Sequence, residues 1–189
     1  MSHNNPHENR PPLRKYEQAR VLGGGSSINA EIFTRGHPSD YDRWAHEEGA
    51  EGWAFKDIQK YFLRSEGNTI LSGQWHGTDG PLGVSNNPSP NPLSRAFVQS
   101  CQEFGIPYNP DFNGAHQGGV GTMQYTTRGG RRWNGVDAFL SQIASHANFK
   151  VECNALVTSL EIEGNRCVGV NYVQDGQRHR ALANAEVLM

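Results

Sequence analysis

Phe55, Ile58, Tyr61 and Phe62 recur at three- and four-residue intervals. That spacing brings side chains to one face of a helix and predicts a helix over Phe55 to Ser65 with a core-facing stripe. Leu93, Phe97, Val98, Cys101 and Phe104 repeat the pattern, and Gly105 is placed to end the helix they mark. Its apolar face is expected to pack on a sheet that includes Gly121 to Thr127. Val136, Phe139, Leu140 and Ile143 mark another helix, which Asn134 can cap. Pro38 suits the first turn of a helix through Asp40, Tyr41 and Trp44, with its acidic residues near the positive end and Gly49 as its stop. A short helix is also expected from Ser27 to Phe33, closed by Gly36.

The pattern changes after Phe149. Phe149 to Cys153, Val157 to Ile162 and Cys167 to Val173 are short apolar or alternating runs, separated by Glu-Gly-Asn and followed by Asp175-Gly176, which are hairpin signals. A meander of three or four strands is expected, ending with Ala185 to Met189 as a buried strand. From Glu66 to Pro92 the chain is rich in Gly, Asn, Ser and Pro and reads as an irregular connection with one strand near Leu82 to Ser85. Residues 1–14 read as a disordered or extended lead-in. The fold class that follows is mixed α and β.

Composition modifies this picture in one respect. Only 35% of the 189 residues are hydrophobic and the mean hydropathy is −0.68, which is polar for a compact domain and suggests that part of its core is missing. A net charge of −2 gives no general reason to expect nucleic acid or an anionic membrane. Arg128, Arg131 and Arg132 read as a solvated loop. No apolar run reaches the roughly 20 residues of a membrane span. Cys101, Cys153 and Cys167 have neither disulfide-framework nor zinc spacing, so a reducing cytoplasm is the default location. His37 and His46 lie near Glu47 and Glu48 without a metal-binding motif, and no metal site is expected. His76 reads as the brace of a glycine-rich turn. There is no Gly-x-Ser-x-Gly elbow, and no P-loop lysine follows Gly25-Ser26-Ser27.

The stretch with the most chemical content is Ala19-Arg-Val-Leu-Gly-Gly-Gly-Ser-Ser-Ile-Asn-Ala30. Three glycines allow a backbone to approach a phosphate or a flat ring, and Ser26 or Ser27 can cap a following helix whose N–H groups favour an anion. A flexible turn is the plainer reading of the same residues. The stretch continues through Phe33, Gly36 and Asp42. Over Ala19, Arg20, Leu22, Gly23, Gly24, Gly25, Ser26, Ile28, Asn29, Phe33, Gly36 and Asp42, the chain resembles the glucose-methanol-choline (GMC) oxidoreductases, nearest their choline and alcohol dehydrogenase branch. His76 to Leu82, Pro107 to Gly114 and Asn154 to Thr158 resemble the same family, and the resemblance runs from about Lys15 to the last residue.

That resemblance implies part of an FAD/NAD(P)-binding Rossmann-like domain together with part of a GMC substrate-domain insertion. Residues 15–65 would contact FAD, 66–148 would form a substrate or cap-type segment, and 149–189 would return to the FAD-binding domain. The backbone of Val21, Leu22, Gly23, Gly24 and Gly25 would line the flavin and pyrophosphate, and Ser26 would also bind the cofactor. Asn29, Ala30, Glu31 and Ile32 would lie against the isoalloxazine, and the main chain of Val157 would meet the adenine. Ile28 stands where some members carry a flavin-linked His, so the FAD would be non-covalent. The Gly-x-Gly-x-x-Gly fingerprint and the family's catalytic His have no counterpart here, and no catalytic residue is assigned.

The complete enzyme would oxidise the CH–OH group of an alcohol or choline-like donor, with hydride passing to flavin N5. This portion alone is expected to bind FAD weakly and to turn over no alcohol. Self-association, or complementation by missing flanks, is expected to cover its apolar surface. Two alternatives stand beside this: a non-catalytic remnant that binds a small molecule or partner, and a β-rich interaction module built on residues 149–189.

Overall fold

The computed structural model describes residues 16–189; the expected lead-in at 1–14 lies outside them. The chain divides after Ile143 into two compact units.

The first unit is built on a four-stranded sheet in the order β1-β4-β3-β2, with β1 at Ile32–Phe33, β2 at Glu66–Asn68, β3 at Leu82–Asn86 and β4 at Gln124–Tyr125. β2 and β3 are parallel, whereas β1 and β3 each pair antiparallel with β4. Helix α1, Pro38–His46, begins in a reciprocal cap: the His37 ring accepts from the Ser39 N–H, and Asp40 accepts from the His37 N–H. Helix α2 occupies Phe55–Ser65, as its periodicity predicts. The stripe is only partly a core face: Ile58 is buried, but Tyr61 is 57% exposed on an open groove beside Trp53.

Helix α3, Pro92–Glu103, is capped by Asn91 and followed by Gly105 at φ +100°. Leu93, Phe97 and Val98 face Gly121 to Met123 and Tyr125 across a groove instead of closing on them. Leu93 is therefore 78% exposed and Phe97 66%, and the close packing expected from their spacing is not made. Strands β5, Thr127–Arg128, and β6, Arg131–Arg132, form a hairpin whose two turn residues, Gly129 and Gly130, both have positive φ. Asn134 Oδ1 accepts from the N–H groups of Val136 and Asp137, as expected of a cap. What it caps is a π-helical turn, Val136–Leu140, running into the short α4, Ser141–Ile143.

Burial in this unit is unusually polar. Among the described residues, the buried apolar ones are Ala54, Ile58, Val84, Val120 and Ala138, beside Arg35, Glu66, Asn68, His76, Asn109, Asn113 and Gln124. Hydrogen bonding therefore has to satisfy most of what this core encloses.

The second unit is an antiparallel meander: β7 at Leu156–Glu163, β8 at Arg166–Gln174 and β9 at Gln177–Leu182. Gly164 and the pair Asp175-Gly176 make its turns at positive φ, where the hairpin signals placed them. Two expected strands are not formed. Phe149 to Cys153 lies outside any strand, and so does Ala185 to Met189, which leaves Leu188 and Met189 exposed. The tight turn at Asp175-Gly176 recruits the polar run Gln177 to Leu182 as the third strand, pairing Gln174 with Gln177. Arg180 reaches across β8 to Glu161, with its Nε 2.7 Å from both carboxylate oxygens.

Candidate functional site

The glycine stretch does not lead into a helix. Gly24–Ser27 forms a single 3-10 turn entered through Gly23 at φ +87°, and Ile32–Phe33 is already strand β1. Asn29 and Glu31 explain the difference. Asn29 Oδ1 accepts from the Glu31 N–H, a side-chain turn that competes with helix, and Glu31 sits in the left-handed region at φ +63°. The Glu31 carbonyl then accepts from both the N–H and the hydroxyl of Thr126. Ser26 and Ser27 cap no helix either. Their hydroxyls donate backward to the carbonyls of Gly23 and Leu22, and accept from Gly135 N–H (2.8 Å) and Asn134 Nδ2 (3.2 Å).

Arg132 completes this staple. Its guanidinium donates to Ser26 O at 2.9 Å, Asn29 Oδ1 at 2.7 Å and Asn29 O at 2.9 Å, and lies 3.0 Å from a carboxylate oxygen of Glu31. The basic cluster is thus not simply a solvated loop. Arg131 is exposed, Arg128 stacks over the Trp133 ring with 5.0 Å to its centroid, and Arg132 holds the glycine loop. Nothing in the local sequence separates these three arginines except the parity set by the Gly129-Gly130 turn.

Several features leave the loop open to a ligand. A Cβ added at Gly24 or Gly25 would meet nothing within 4 Å, so the backbone faces open space there. Among the described residues, no group accepts from the N–H of Gly25 or of Ala30. Val21, Leu22, Ile28 and Ile32 leave apolar surface exposed around those amides. Beside Ala30 and Glu31 opens a cavity of about 350 Å³, also lined by Asn87, Tyr125 and Thr127. A larger cavity of about 610 Å³, lined by Tyr41, Trp53, Ile58, Tyr61 and Phe62, shares no residue with the loop and carries no side chain suited to redox or acid–base work beyond its tyrosines. The smaller cavity is the better candidate. Val157 lies in the second unit, on β7 opposite Tyr172 and next to a bulge at Thr158, with its side chain exposed.

Sequence reasoning missed a second constellation, which is buried. Glu66 is fully enclosed and accepts from Arg35 Nη2, from Asn68 Nδ2 at 2.8 Å and from the His76 ring, whose Nδ1 is 2.8 Å away. His76 Nε2 points to Asp111 at 2.9 Å. Arg35 also donates to the Trp75 carbonyl, and its charge lies against the Phe62 ring at 5.2 Å. Its Nε has no partner among the described residues. Burial pushes His76 toward neutrality, but the hydrogen bonds and charges of Glu66 and Asp111 outweigh it and raise the pKa. Burial likewise disfavours the Glu66 anion, yet its bonds from His76 and Asn68 and the charge of Arg35 hold the pKa below the usual range. Burial also lowers Arg35, against the pull of Glu66. With both ring nitrogens facing carboxylates, only the imidazolium satisfies both, and two cations then balance two anions.

This network also fixes the exit of β1. Asn113 accepts from the Arg35 N–H at 2.7 Å and donates to the Phe33 carbonyl at 3.1 Å. Arg35, His76, Asp111 and Asn113 each come from a stretch singled out by resemblance, so three such stretches meet here. Reading His76 as a turn brace captured only its setting. Among the described residues, no group of three or more His, Cys, Asp or Glu side chains is placed to hold a metal ion, and no helix is long and apolar enough to cross a membrane.

A backbone turn stapled by distant polar side chains thus sits on a mixed α/β scaffold. The chain belongs to the GMC oxidoreductases, whose family pattern matches residues 13–189. It is 41% identical to the mitochondrial choline dehydrogenase of Mus musculus over 174 residues, covering 92% of this chain and 29% of that protein. In structure it is similar to pyridoxine 4-oxidase from Mesorbium loti, with a TM-score of 0.83 and 27% identity over 88% of this chain and 33% of that one. It is also similar to an FAD-dependent oxidoreductase from Chaetomium thermophilum, with a TM-score of 0.81 and 25% identity over 88% and 31% of the two chains. The chain thus spans about a third of the length of these relatives.

Proposed function

We propose that this chain is the flavin-contacting portion of an FAD-dependent oxidoreductase acting on the CH–OH group of an alcohol or choline-like donor. The observation that carries this reading is the stapled Gly23 to Glu31 loop, open at Gly24 and Gly25 and lining with Ala30 and Glu31 a cavity of about 350 Å³. Bound FAD supplies the hydride acceptor. The chain's own residues bind and orient it. Val21 to Ser26 border the dinucleotide, with the Gly25 N–H and the apolar edges of Val21 and Leu22 offered to it, and Asn29 to Ile32 border the ring system. Val157 is proposed as a main-chain contact to adenine, a role for the second unit by itself. Ile28 offers no nucleophile, so the FAD is non-covalent. Residues 15–65 form the FAD-contacting segment, 66–148 the substrate-side segment and 149–189 the strands of the FAD-binding domain.

No residue of this chain is assigned the acid–base step, and the portion is proposed to be inactive alone. Its three unpaired thiols suit a reducing compartment such as the cytoplasm. The exposed apolar face of α3 favours self-association or complementation by further chain. Titration with FAD, followed by flavin absorbance and fluorescence, tests the reading. Weak saturable binding without alcohol turnover is the expected result. No binding would overturn the flavin role, and tight stoichiometric binding would overturn the incompleteness of the site.

A further inference from the structure

We infer that Arg132 is a positioning residue, whose forked guanidinium holds the Gly23 to Glu31 loop in the shape that receives the flavin nucleotide. The inference rests on the flavin reading above but adds a residue that neither the family resemblance nor the basic composition singled out.

Beside the bonds from Thr126, Asn134 and Gly135, apolar burial does little to fix the loop. None of Gly24–Ser27 is buried, and Val21, Leu22, Ile28 and Ile32 around it are exposed, so burial of apolar surface does not define its shape. Its backbone is also strained at one point: Glu31, which has a Cβ, sits at φ +63°, whereas Gly23 and Gly24 take their φ of +87° and +55° without steric cost. Such a segment persists only where its surroundings over-determine it. Arg132 contributes by far the densest set of contacts. One nitrogen bridges Ser26 O and Asn29 Oδ1, the other takes Asn29 O, and the Glu31 carboxylate closes the ring of acceptors at 3.0 Å. Two carbonyls are thereby turned toward the guanidinium. The same side chain keeps Asn29 Oδ1 where it also accepts from the Glu31 N–H.

The geometry requires a planar fork. A lysine ammonium is a point charge on a flexible stem and cannot span acceptors on both Ser26 and Asn29 while facing Glu31. The neighbouring Arg131 carries the same charge one residue away and is exposed, which makes it an internal control for attraction of the pyrophosphate by net charge alone.

The test compares the full chain with Arg132→Gln, Arg132→Lys and Arg131→Gln. Hydrogen exchange of peptides covering residues 23–31 is read without FAD, FAD affinity by fluorescence, and the melting temperature on each protein. Loss of several charge-assisted hydrogen bonds predicts loop exchange faster by about tenfold or more in Arg132→Gln, and FAD affinity weaker by a similar factor. Both effects should persist in Arg132→Lys and be absent in Arg131→Gln, with melting temperatures close to wild type throughout. Unchanged loop exchange in Arg132→Gln would overturn the inference. So would full recovery in Arg132→Lys, or an Arg131→Gln loss of affinity equal to that of Arg132→Gln. A loss explained by a matching fall in melting temperature would also count against it. A wild-type chain that binds no FAD overturns the flavin reading instead, and the exchange comparison still decides whether Arg132 holds the loop.

Discussion

The imidazole of His76 lies 2.9 Å from the carboxylate of Asp111, and its other nitrogen lies 2.8 Å from Glu66, so one buried ring joins two loops and a strand. The arrangement makes the first unit sensitive to pH in a defined sense. His76 has a raised pKa: its contribution is fully present below the ordinary value of 6.5 and is lost as pH rises through the raised value. Glu66 has a lowered pKa: its contribution is present above the ordinary value of 4.5 and is lost as pH falls through the lowered value. The network therefore favours mildly acidic solution between those two limits. Thermal melts across pH should show stability falling on the alkaline side in wild type and flattening there in His76→Gln. An alkaline fall that survives unchanged in His76→Gln would assign it to other groups.

Glu66→Gln should be severely destabilising, because it leaves Arg35 and His76 buried without their shared anion. Removing one partner of a buried ion pair typically costs about 3–5 kcal/mol. Arg35→Met should be comparably costly, and the double substitution less costly than the sum of the two. Urea denaturation followed by tryptophan fluorescence reads this out, since the Trp75 carbonyl is bonded to Arg35. Strict additivity would show that the pair is not coupled.

Gly77 is required for close packing. A Cβ there would come within 1.9 Å of the Leu63 carbonyl oxygen, backbone that has nowhere to move. Gly77→Ala should cost about 3 kcal/mol or more by overpacking. At Gly105, φ is +100° but a Cβ meets nothing within 4 Å; Gly105→Ala should cost about 1–2 kcal/mol from backbone strain alone. Equal melting temperatures for the two variants would contradict this ranking.

The exposed face of α3 should make the chain self-associate. Phe97 and Phe104 are 66% and 87% exposed, and Leu93 continues the same face. Sedimentation velocity over a concentration series should show association in wild type and its loss in Phe97→Glu, Phe104→Glu. A concentration-independent monomer in wild type would remove the expectation.

Local patterns were legible wherever local forces decide the outcome. The periodicity of Phe55 to Phe62, the Pro38 start of α1 and the turn at Asp175-Gly176 each predict what forms. The failures share a cause: partners distant in sequence. Ser27 to Phe33 reads as helix until Thr126 and Arg132, about a hundred residues on, capture Glu31 and Asn29. Glu66 to Asn68 looks like loop because its residues are polar, yet it forms β2, buried by Arg35, His76 and Gln124. Ala185 to Met189 has the apolar content of a buried strand, and no strand of the described residues pairs with it. Of the candidate site, the glycine loop was visible as a motif, whereas the residue that holds it was indistinguishable from its basic neighbours.

Gly129 and Gly130 carry a meaning beyond their turn. Side chains alternate along a strand, and a two-residue connection fixes which of two adjacent arginines comes round to the loop. The hairpin behaves as a parity setting. Inserting one residue just before Arg131, with the two-residue turn kept, would retain both arginines, the same charge and nearly the same composition, yet present Arg131 where Arg132 now stands. In this fold, the count of residues leaving a solvent-facing turn sets the shape of a backbone about a hundred positions earlier.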